Sequence, residues 1–574
     1  MALRRLVAMK DIVCRAAVVR NRTRKRTVVT QECMFSAGTS SLGKPPDQDE
    51  VTAEVCQASD LHEGQMMEAE VGGQRVLLVR SGGEFSAVGN LCTHYGAPLS
   101  KGALLGSRVR CPWHGACFNI KTGDIEEYPG LDSLPCHKVT IENNKVFVSV
   151  SKKSLKLVKR VKPMGRRVAE VNHTVLLIGG GPASLLCAET LRQENYGGRI
   201  VMVTREDLPP YDRTKLSKVL NVDRSSILLR QREFLEQHDI EVWTQKQVES
   251  VDTERGAVTL SDGSELRYDQ LLIATGCRPR PIKCPGADLR GVRVLQTPDD
   301  AMSIHQACEG RKAVIVGSSF IGMEVASYLW DKATSVAVVG SSEFPYQRSL
   351  GSEIGRATMQ MLGEKKVVFH MRDGVAEIRG ENGQVREVVL RSGTVLPADV
   401  VVVGIGVIPN TDFLKGGTVE LDSRQSVIVD KFMRTTVPNV FCAGDVTAFP
   451  LSLRRNQRVS IGHWQLAQAQ GRIAALNMLN HQVELDSVPF FWTVLLGKSL
   501  RYTGYGEGYT DVVLKGKIEE MKFLAFYIKD EEVVAVASLN YDPAVSQVAE
   551  RMAAGKVITK AQAESDDLSW LTLP

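Results

Sequence analysis

Between residues 51 and 150 the hydrophobic positions come in short alternating stretches, Arg75 to Val79, Arg108 to Cys111 and Val146 to Val150, separated by turns that contain glycine. Alternation with period two predicts half-buried strands, so this region reads as a small all-β unit. At Thr174 the pattern changes. The segment TVLLIGGGPASLLCAETLRQE opens with an unbroken apolar run, turns at Gly179 and Gly181, and continues with Leu185, Leu186 and Leu191 facing inward at helical spacing. That order predicts a buried strand, a tight turn and a helix, with a second strand from Arg199 to Val203. It returns at Lys312 to Trp330, KAVIVGSSFIGMEVASYLW, with Gly317 and Gly322 at the outer motif positions and Ser319 in place of the middle glycine. A strand from Ser335 to Val339 follows. The expected fold class is multidomain, an N-terminal all-β domain followed by two Rossmann-like α/β units.

A length of 574 residues allows about four units of roughly 150 residues. The expected division is a basic, disordered leader over 1–50, the all-β unit over 51–153, a linker over 154–171, a first α/β unit over 172–300 and 427–486, a second over 301–426, and a C-terminal domain over 487–574. A basic stretch, Ser151 to Arg167, supplies most of the linker. No apolar run reaches the roughly 18 residues that span a bilayer, so no transmembrane segment is expected.

Charge is concentrated at one end. Residues 1–31 hold nine Lys or Arg against Asp11 alone, so they carry +8 of the net +5 and the remainder is about −3. Sequence-specific nucleic-acid binding by the body is therefore not expected. The Arg-rich, acid-poor start has the composition of a mitochondrial transit segment; a basic tail on a cytoplasmic protein is the alternative. Twelve scattered cysteines in a chain this long are no disulfide framework and fit a reducing compartment. Cys117 and Cys136 are expected to be buried as small hydrophobes.

Cys92-Thr-His94, sixteen residues, then Cys111-Pro-Trp-His114 supplies two thiolates and two imidazoles at the spacing of a Rieske [2Fe-2S] centre, in which two cysteines hold one iron and two histidines the other. A structural zinc site is the competing reading. Against it stands the order of the ligands, since each short loop offers one Cys and one His. High-potential Rieske proteins carry an extra cysteine in each loop and a hydroxyl after the second His-Gly, where this chain has Ala97, Trp113 and Ala116. Fewer hydrogen bonds to the sulfurs predict the low end of the Rieske range, about −150 mV.

The first strand-turn-helix unit can place backbone N–H groups and a helix N-terminus at a pyrophosphate, and Glu206 at the tip of the next strand can bond a ribose hydroxyl. Ser184 takes the third motif position, where Gly or Ala is usual. In the second unit the strand ends in Gly340-Ser341-Ser342, with no acid. Two such motifs in tandem argue for paired dinucleotide domains. LLIATGCRPR brings Thr275 and Gly276, VVVGIGVIPN echoes it, and VFCAGDVTAFP places Gly444-Asp445 after an apolar strand, at the expected N-terminal end of a following helix.

These segments, with PYDRTKLSK, IGMEV and HWQLAQAQGRIAA, make the chain from about residue 172 onward resemble the pyridine-nucleotide ferredoxin reductases and apoptosis-inducing factors. The resemblance implies FAD on the first unit and NAD(P)H on the second, and an α+β C-terminal domain closing the flavin pocket. It implies Arg213 and Lys218 along the flavin, Lys218 paired with Glu324 either catalytically or as an interdomain salt bridge, and Trp464 and Trp492 lining the pocket or packed in the core. The chain departs from the reductase pattern at Trp492-Thr-Val. It lacks the close cysteine pair of the disulfide reductases, having only Cys187 there.

The expected activity is electron flow from NADH or NADPH through FAD to the cluster and on to an unknown one-electron acceptor. The alternative is a redox-switched pro-apoptotic signalling protein with little turnover. The choice between NADH and NADPH and the oligomeric state stay open.

Overall fold

The structure, a computed structural model, describes residues 49–572. The basic leader lies outside the described residues. No helix among them is long and apolar enough to cross a membrane.

The all-β unit is a six-stranded antiparallel sheet in the spatial order Glu50–Gln57, Lys145–Ser151, Cys136–Glu142, Glu84–Gly89, Gln74–Ser81, Gln65–Val71, with a second sheet of four three-residue strands, Ala103–Leu105, Arg108–Arg110, Cys117–Asn119 and Ile125–Glu127. Strand Gln74–Ser81 shows why its apolar run is continuous. Val76 and Leu78 face one core with Val71, Val146, Val148 and Val150, while Leu77 and Val79 face another with Leu99, Val109 and Phe118. A strand buried on both faces loses the usual polar alternation. The second of these cores continues without a break into the first α/β unit, through Val175, Leu185 and Ile273.

Each α/β unit holds a five-stranded parallel sheet. The first runs Ile240–Trp243, Arg199–Val203, Thr174–Ile178, Gln270–Ile273, Val440–Cys442; the second runs Val292–Val294, Val400–Val403, Lys312–Val316, Ser335–Gly340, Val368–Met371. The crossover is a two-stranded antiparallel pair, Cys277–Pro279 with Val407–Pro409. Because Val292–Val294 pairs with Val401–Val403 of the second sheet, that unit begins ahead of the 300/301 boundary expected from sequence. Arg293 interrupts this short strand and hides it from hydrophobic patterning. A five-stranded antiparallel sheet, Phe490–Leu495, Lys498–Gly504, Glu532–Leu539, Lys522–Lys529 and Asp511–Lys517, with helix Ala544–Ala553, completes the α+β C-terminal domain.

One local expectation fails. Asp445 does not open a helix; strand Thr447–Leu451 follows it, and the next long helix is Trp464–Met478. The carboxylate nevertheless lies near that helix's start, since a Cβ on Gly462 would come within 3.3 Å of the Asp445 carboxyl carbon.

Candidate functional site

The two ligand loops repeat one geometry. The Cys92 N–H donates to Ala97 O at 2.9 Å and the Cys111 N–H to Ala116 O at 2.7 Å, and each loop turns through a positive-φ glycine, Gly96 (φ 75) and Gly115 (φ 82). Gly115 cannot carry a side chain, because a Cβ would come within 2.6 Å of the Phe490 ring.

Folding brings the donors together in pairs. His94 Nδ1 and His114 Nδ1 face each other at 3.1 Å. Two nitrogens on one tetrahedral metal lie roughly 3.3 Å apart, so both imidazoles suit a single ion. Desolvation pulls the His94 pKa down to about 4 and that of His114 well below its ordinary value, so both rings are neutral at pH 7, the ligating form. The two thiols form a second pair. A hydrogen bond with Cys111 and burial raise Cys92, while at Cys111 the cost of burial is outweighed by that same bond and by the N–H groups of His114 and Trp113. No group of three or more His, Cys, Asp or Glu among the described residues suits one metal ion. A zinc site needs four donors in one sphere, whereas two separate pairs suit two irons. Cys117 is buried as expected, but Cys136 is only half-buried.

Two rings cover the histidines, one from each module. Trp492, on strand Phe490–Leu495, has its ring 4.3 Å from His114 and 5.6 Å from His94 between centroids. Tyr95 stacks on His94 at 3.8 Å and 18°, and its hydroxyl donates to the Asp212 carboxylate. Next to Trp492, the Thr493 hydroxyl donates to Glu324 Oε1 at 2.7 Å; Lys218 Nζ donates to Glu324 Oε2 at 3.0 Å, and the Ser217 hydroxyl donates to that same oxygen. Lys218 and Glu324 are therefore paired, within a network that continues to the neighbour of Trp492.

Ions and amides hold the rest of the seam. Arg230 bridges Glu189 at 2.8 Å and Asp132 of the β module at 2.7 Å, all three buried. Arg110 meets Glu550 at 2.5 Å, and Gln468 Nε2 donates to Gly130 O at 2.9 Å. Arg501 Nε donates to Trp113 O and the Ser546 hydroxyl to Cys111 O, both at 2.9 Å.

In the first α/β unit a Cβ on Gly179 (φ 120) would lie 2.1 Å from Ala274 O, which requires glycine. At Gly181, the N-cap of helix Pro182–Gln193, an added Cβ would meet nothing within 4 Å. That open cradle before a helix N-terminus suits a diphosphate. Ser184 is buried with an unpartnered hydroxyl. Glu206 accepts from Tyr211 at 2.7 Å and Arg213 at 2.6 Å. Thr275 and Asn410 exchange hydrogen bonds of 2.8 and 3.0 Å, tying the two echoing segments together, and Gly276 takes φ 60. Asp445, beside Gly444 (φ 86), is accessible yet hemmed in, and desolvation against the pull of Arg213 holds its carboxyl up at about 6. Near it His463 Nδ1 and Gln470 Nε2 are buried without partners, polar groups of the kind a flavin can satisfy. Trp464 begins helix Trp464–Met478, half-buried.

In the second unit a Cβ on Gly317 (φ 115) would lie 2.2 Å from Gly404 O, and one on Gly322 1.9 Å from Gly317 O. Ser319 is the N-cap of helix Phe320–Leu329, and its hydroxyl makes no capping bond.

Sequence reading missed Tyr95, Asp212, Ser217 and Thr493 as partners of the site. Only Trp492-Thr-Val, as a departure from pattern, marked any of these contacts; the others are ordinary polar or aromatic residues far apart in the chain.

Residues 51–138 match the Rieske [2Fe-2S] domain, 173–471 the pyridine nucleotide-disulphide oxidoreductase family and 490–570 the reductase C-terminal domain. The chain is 50% identical over 540 residues to apoptosis-inducing factor 3 of Homo sapiens, covering 92% of this chain and 89% of that one. It is 30% identical to the ferredoxin–NAD(+) reductase subunit of the benzene 1,2-dioxygenase system of Pseudomonas putida, over 69% of this chain and 95% of that one. The solved ferredoxin reductase for the CYP199A2 system of Rhodopseudomonas palustris superposes with a TM-score of 0.67 at 30% identity, covering 70% of this chain and all of that one.

Proposed function

The chain belongs to the pyridine nucleotide-disulphide oxidoreductase family, within its apoptosis-inducing factor 3 group, and on that premise we propose that it carries electrons from NAD(P)H to its own Rieske centre and on to an unidentified one-electron acceptor. It is an NAD(P)H oxidoreductase of ferredoxin-reductase type that uses FAD and a [2Fe-2S] cluster. Bound FAD takes up an electron pair and releases electrons singly, and the cluster accepts one at a time.

The observation that carries the proposal is the contact between Trp492 and both cluster histidines, one residue from the Thr493–Glu324–Lys218 network. In our reading Lys218 supplies positive charge beside the isoalloxazine, and Glu324, fixed by Ser217 and Thr493, holds the ammonium there. Arg213, Glu206 and Asp445 line the ribityl and ribose side, and Gly181 and Ser184 the diphosphate. Gly317, Ser319 and Gly322 receive the nicotinamide nucleotide. Trp492 and Tyr95 keep water from the imidazoles and set the spacing between the two centres. The fused module then needs no diffusional encounter to be reduced. The Arg-rich leader supports a mitochondrial location.

Anaerobic addition of NADH or NADPH, followed by flavin absorbance and EPR, tests the wiring. The flavin should bleach and a Rieske signal should then grow; Cys92→Ser should abolish the signal while leaving the bleaching intact. A fully bleached flavin beside an oxidised cluster would sink the proposal. A long-lived reduced complex with negligible turnover would instead favour a redox switch, the reading that the name of the human relative invites.

A further inference from the structure

Within the segment between the two family matches, residues 151–168 run over the surface as an irregular strap with no helix or strand beyond Ser151. Its inner residues hold it down. Leu155 packs toward Gly72, Gln74 Nε2 donates to Leu157 O at 3.0 Å, Arg160 pairs with Asp124 at 2.5 Å, and the Gly165 N–H donates to Arg192 O at 2.7 Å. Lys159 and Lys162 pair with Asp132 and Asp124, and most of the side chains left exposed and unpaired are of two kinds.

The first kind is apolar. Leu157, Val158, Val161 and Val168 are 41–50% exposed, and they are four of the sixteen exposed large hydrophobics among the described residues, gathered within a dozen positions. Single exposed apolar residues are ordinary; a local cluster marks an interaction surface. The second kind is basic. Lys153, Lys156, Arg166 and Arg167 are exposed and none makes an ion pair among the described residues. Residues 151–168 carry eight Lys or Arg and no acid, so with the leader's +8 and the strap's +8 set aside, the chain's +5 becomes −11. A body of that net sign is on balance repelled by an anionic surface, and the strap is a local concentration of the opposite sign.

We propose that the strap docks on a membrane surface rich in anionic lipid headgroups, its lysines and arginines against phosphates and Leu157, Val158, Val161 and Val168 in the acyl boundary. An acidic protein would satisfy the charges but would need apolar pockets placed to match four aliphatics on one irregular segment. A bilayer interface takes both at once. Stable peripheral attachment takes two signals, and the strap supplies both, a basic cluster and apolar side chains for insertion. This inference is independent of the electron route.

Sedimentation of the full-length holoprotein with phosphatidylcholine vesicles, with and without about one third phosphatidylserine, tests it. Binding should require the anionic lipid. Neutralising Lys153, Lys156, Arg166 and Arg167 to Gln together should lower the partition coefficient about fivefold per charge. Leu157→Ser with Val158→Ser should weaken the binding that survives at high salt, where charge is screened. A leader variant, with Arg20, Arg22, Arg24, Lys25 and Arg26 changed to Gln, should leave strap-dependent binding in place. Unchanged flavin absorbance and NADH reduction in each variant verify the fold. Equal binding to neutral vesicles, loss with the leader variant alone, or indifference to the strap substitutions would overturn the proposal. So would equally tight binding to polyglutamate that ignores Leu157 and Val158, which would point to an acidic protein.

Discussion

Around the cluster histidines the two modules meet through a ring, Trp492 against His114 and His94, while Tyr95 of the cluster loop itself stacks on His94; elsewhere on the same seam they meet through ions, Arg230 between Asp132 and Glu189 and Arg110 against Glu550. The ligand set explains the division. Two ferric irons, two sulfides, two thiolates and two neutral imidazoles sum to zero, and the reduced centre carries a single negative charge. A fixed charge against the imidazoles would favour one of those states, whereas a ring excludes water with far less bias. Charges begin one layer out, with Asp212 on the Tyr95 hydroxyl, Lys215 over the Tyr95 ring and Arg501 on the Trp113 carbonyl. Away from the metals, buried ions fix the docking register and tolerate no misplacement.

The largest effect expected on that contrast is in the ionic part. Arg230→Met leaves Glu189 buried without its cation and Asp132 with only the exposed Lys159, 3.5 Å away, and should cost about 3–5 kcal/mol. The triple replacement Arg230→Met, Asp132→Asn, Glu189→Gln should restore most of the loss. Urea denaturation gives both values, and the cluster's midpoint potential should not move in the triple variant. A shift of the potential there would erase the distinction between the two parts of the seam.

Trp492→Leu should do the reverse. Water admitted to His94 and His114 stabilises the reduced, charged centre over the neutral one, so the potential should rise by tens of millivolts, where about 60 mV corresponds to tenfold in the one-electron equilibrium. Trp492 is half-buried, so the stability loss should be the smaller effect. An unchanged potential in a redox titration followed by EPR, with a large loss of stability, would make Trp492 a packing residue and no more.

The two parts also differ in how far the sequence discloses them. Cys92, His94, Cys111 and His114 are legible because cluster chemistry fixes both residue type and spacing, and Gly179 and Gly317 because a backbone carbonyl at 2.1–2.2 Å forbids a Cβ. The parallel sheets are legible from runs such as Thr174–Ile178, buried on both faces. The seam is not. Asp132, Glu189 and Arg230 are separated by up to 98 positions, and nothing local distinguishes a carboxylate that will be buried from one that will be solvated. The domain boundary at 300 fails for a related reason, since Val292–Val294 is defined by its neighbour Val401–Val403 and not by its own three residues. Asp445 shows the converse: a strand follows it instead of the helix expected, yet its carboxylate lies beside Gly462, ahead of helix Trp464–Met478.

The smallest expected effect separates stabilising ions from merely specifying ones. Glu127 and Glu550 share the field of Arg108 and Arg110, yet desolvation raises the pKa of Glu127, whereas at Glu550 the cost of burial is outweighed by the two guanidiniums and its pKa falls. The signs then oppose. Folded Glu127 binds its proton more tightly than the unfolded chain does, so its ionisation costs stability as pH rises through and above the ordinary glutamate range, and acid relieves that cost. Folded Glu550 binds its proton more weakly, so its contribution is present above that range and is lost as pH falls through its depressed pKa. Glu127→Gln keeps an acceptor for the Ser487 hydroxyl, 3.1 Å away, and removes the charge. It should therefore raise the urea midpoint at pH 7.5 by the equivalent of less than about 1 kcal/mol, with the gain shrinking toward pH 4.5. A loss at pH 7.5 would mean that Glu127 is held by Arg108 and Arg110 as firmly as Glu550 is, and that the whole ionic part of the seam stabilises the docked module.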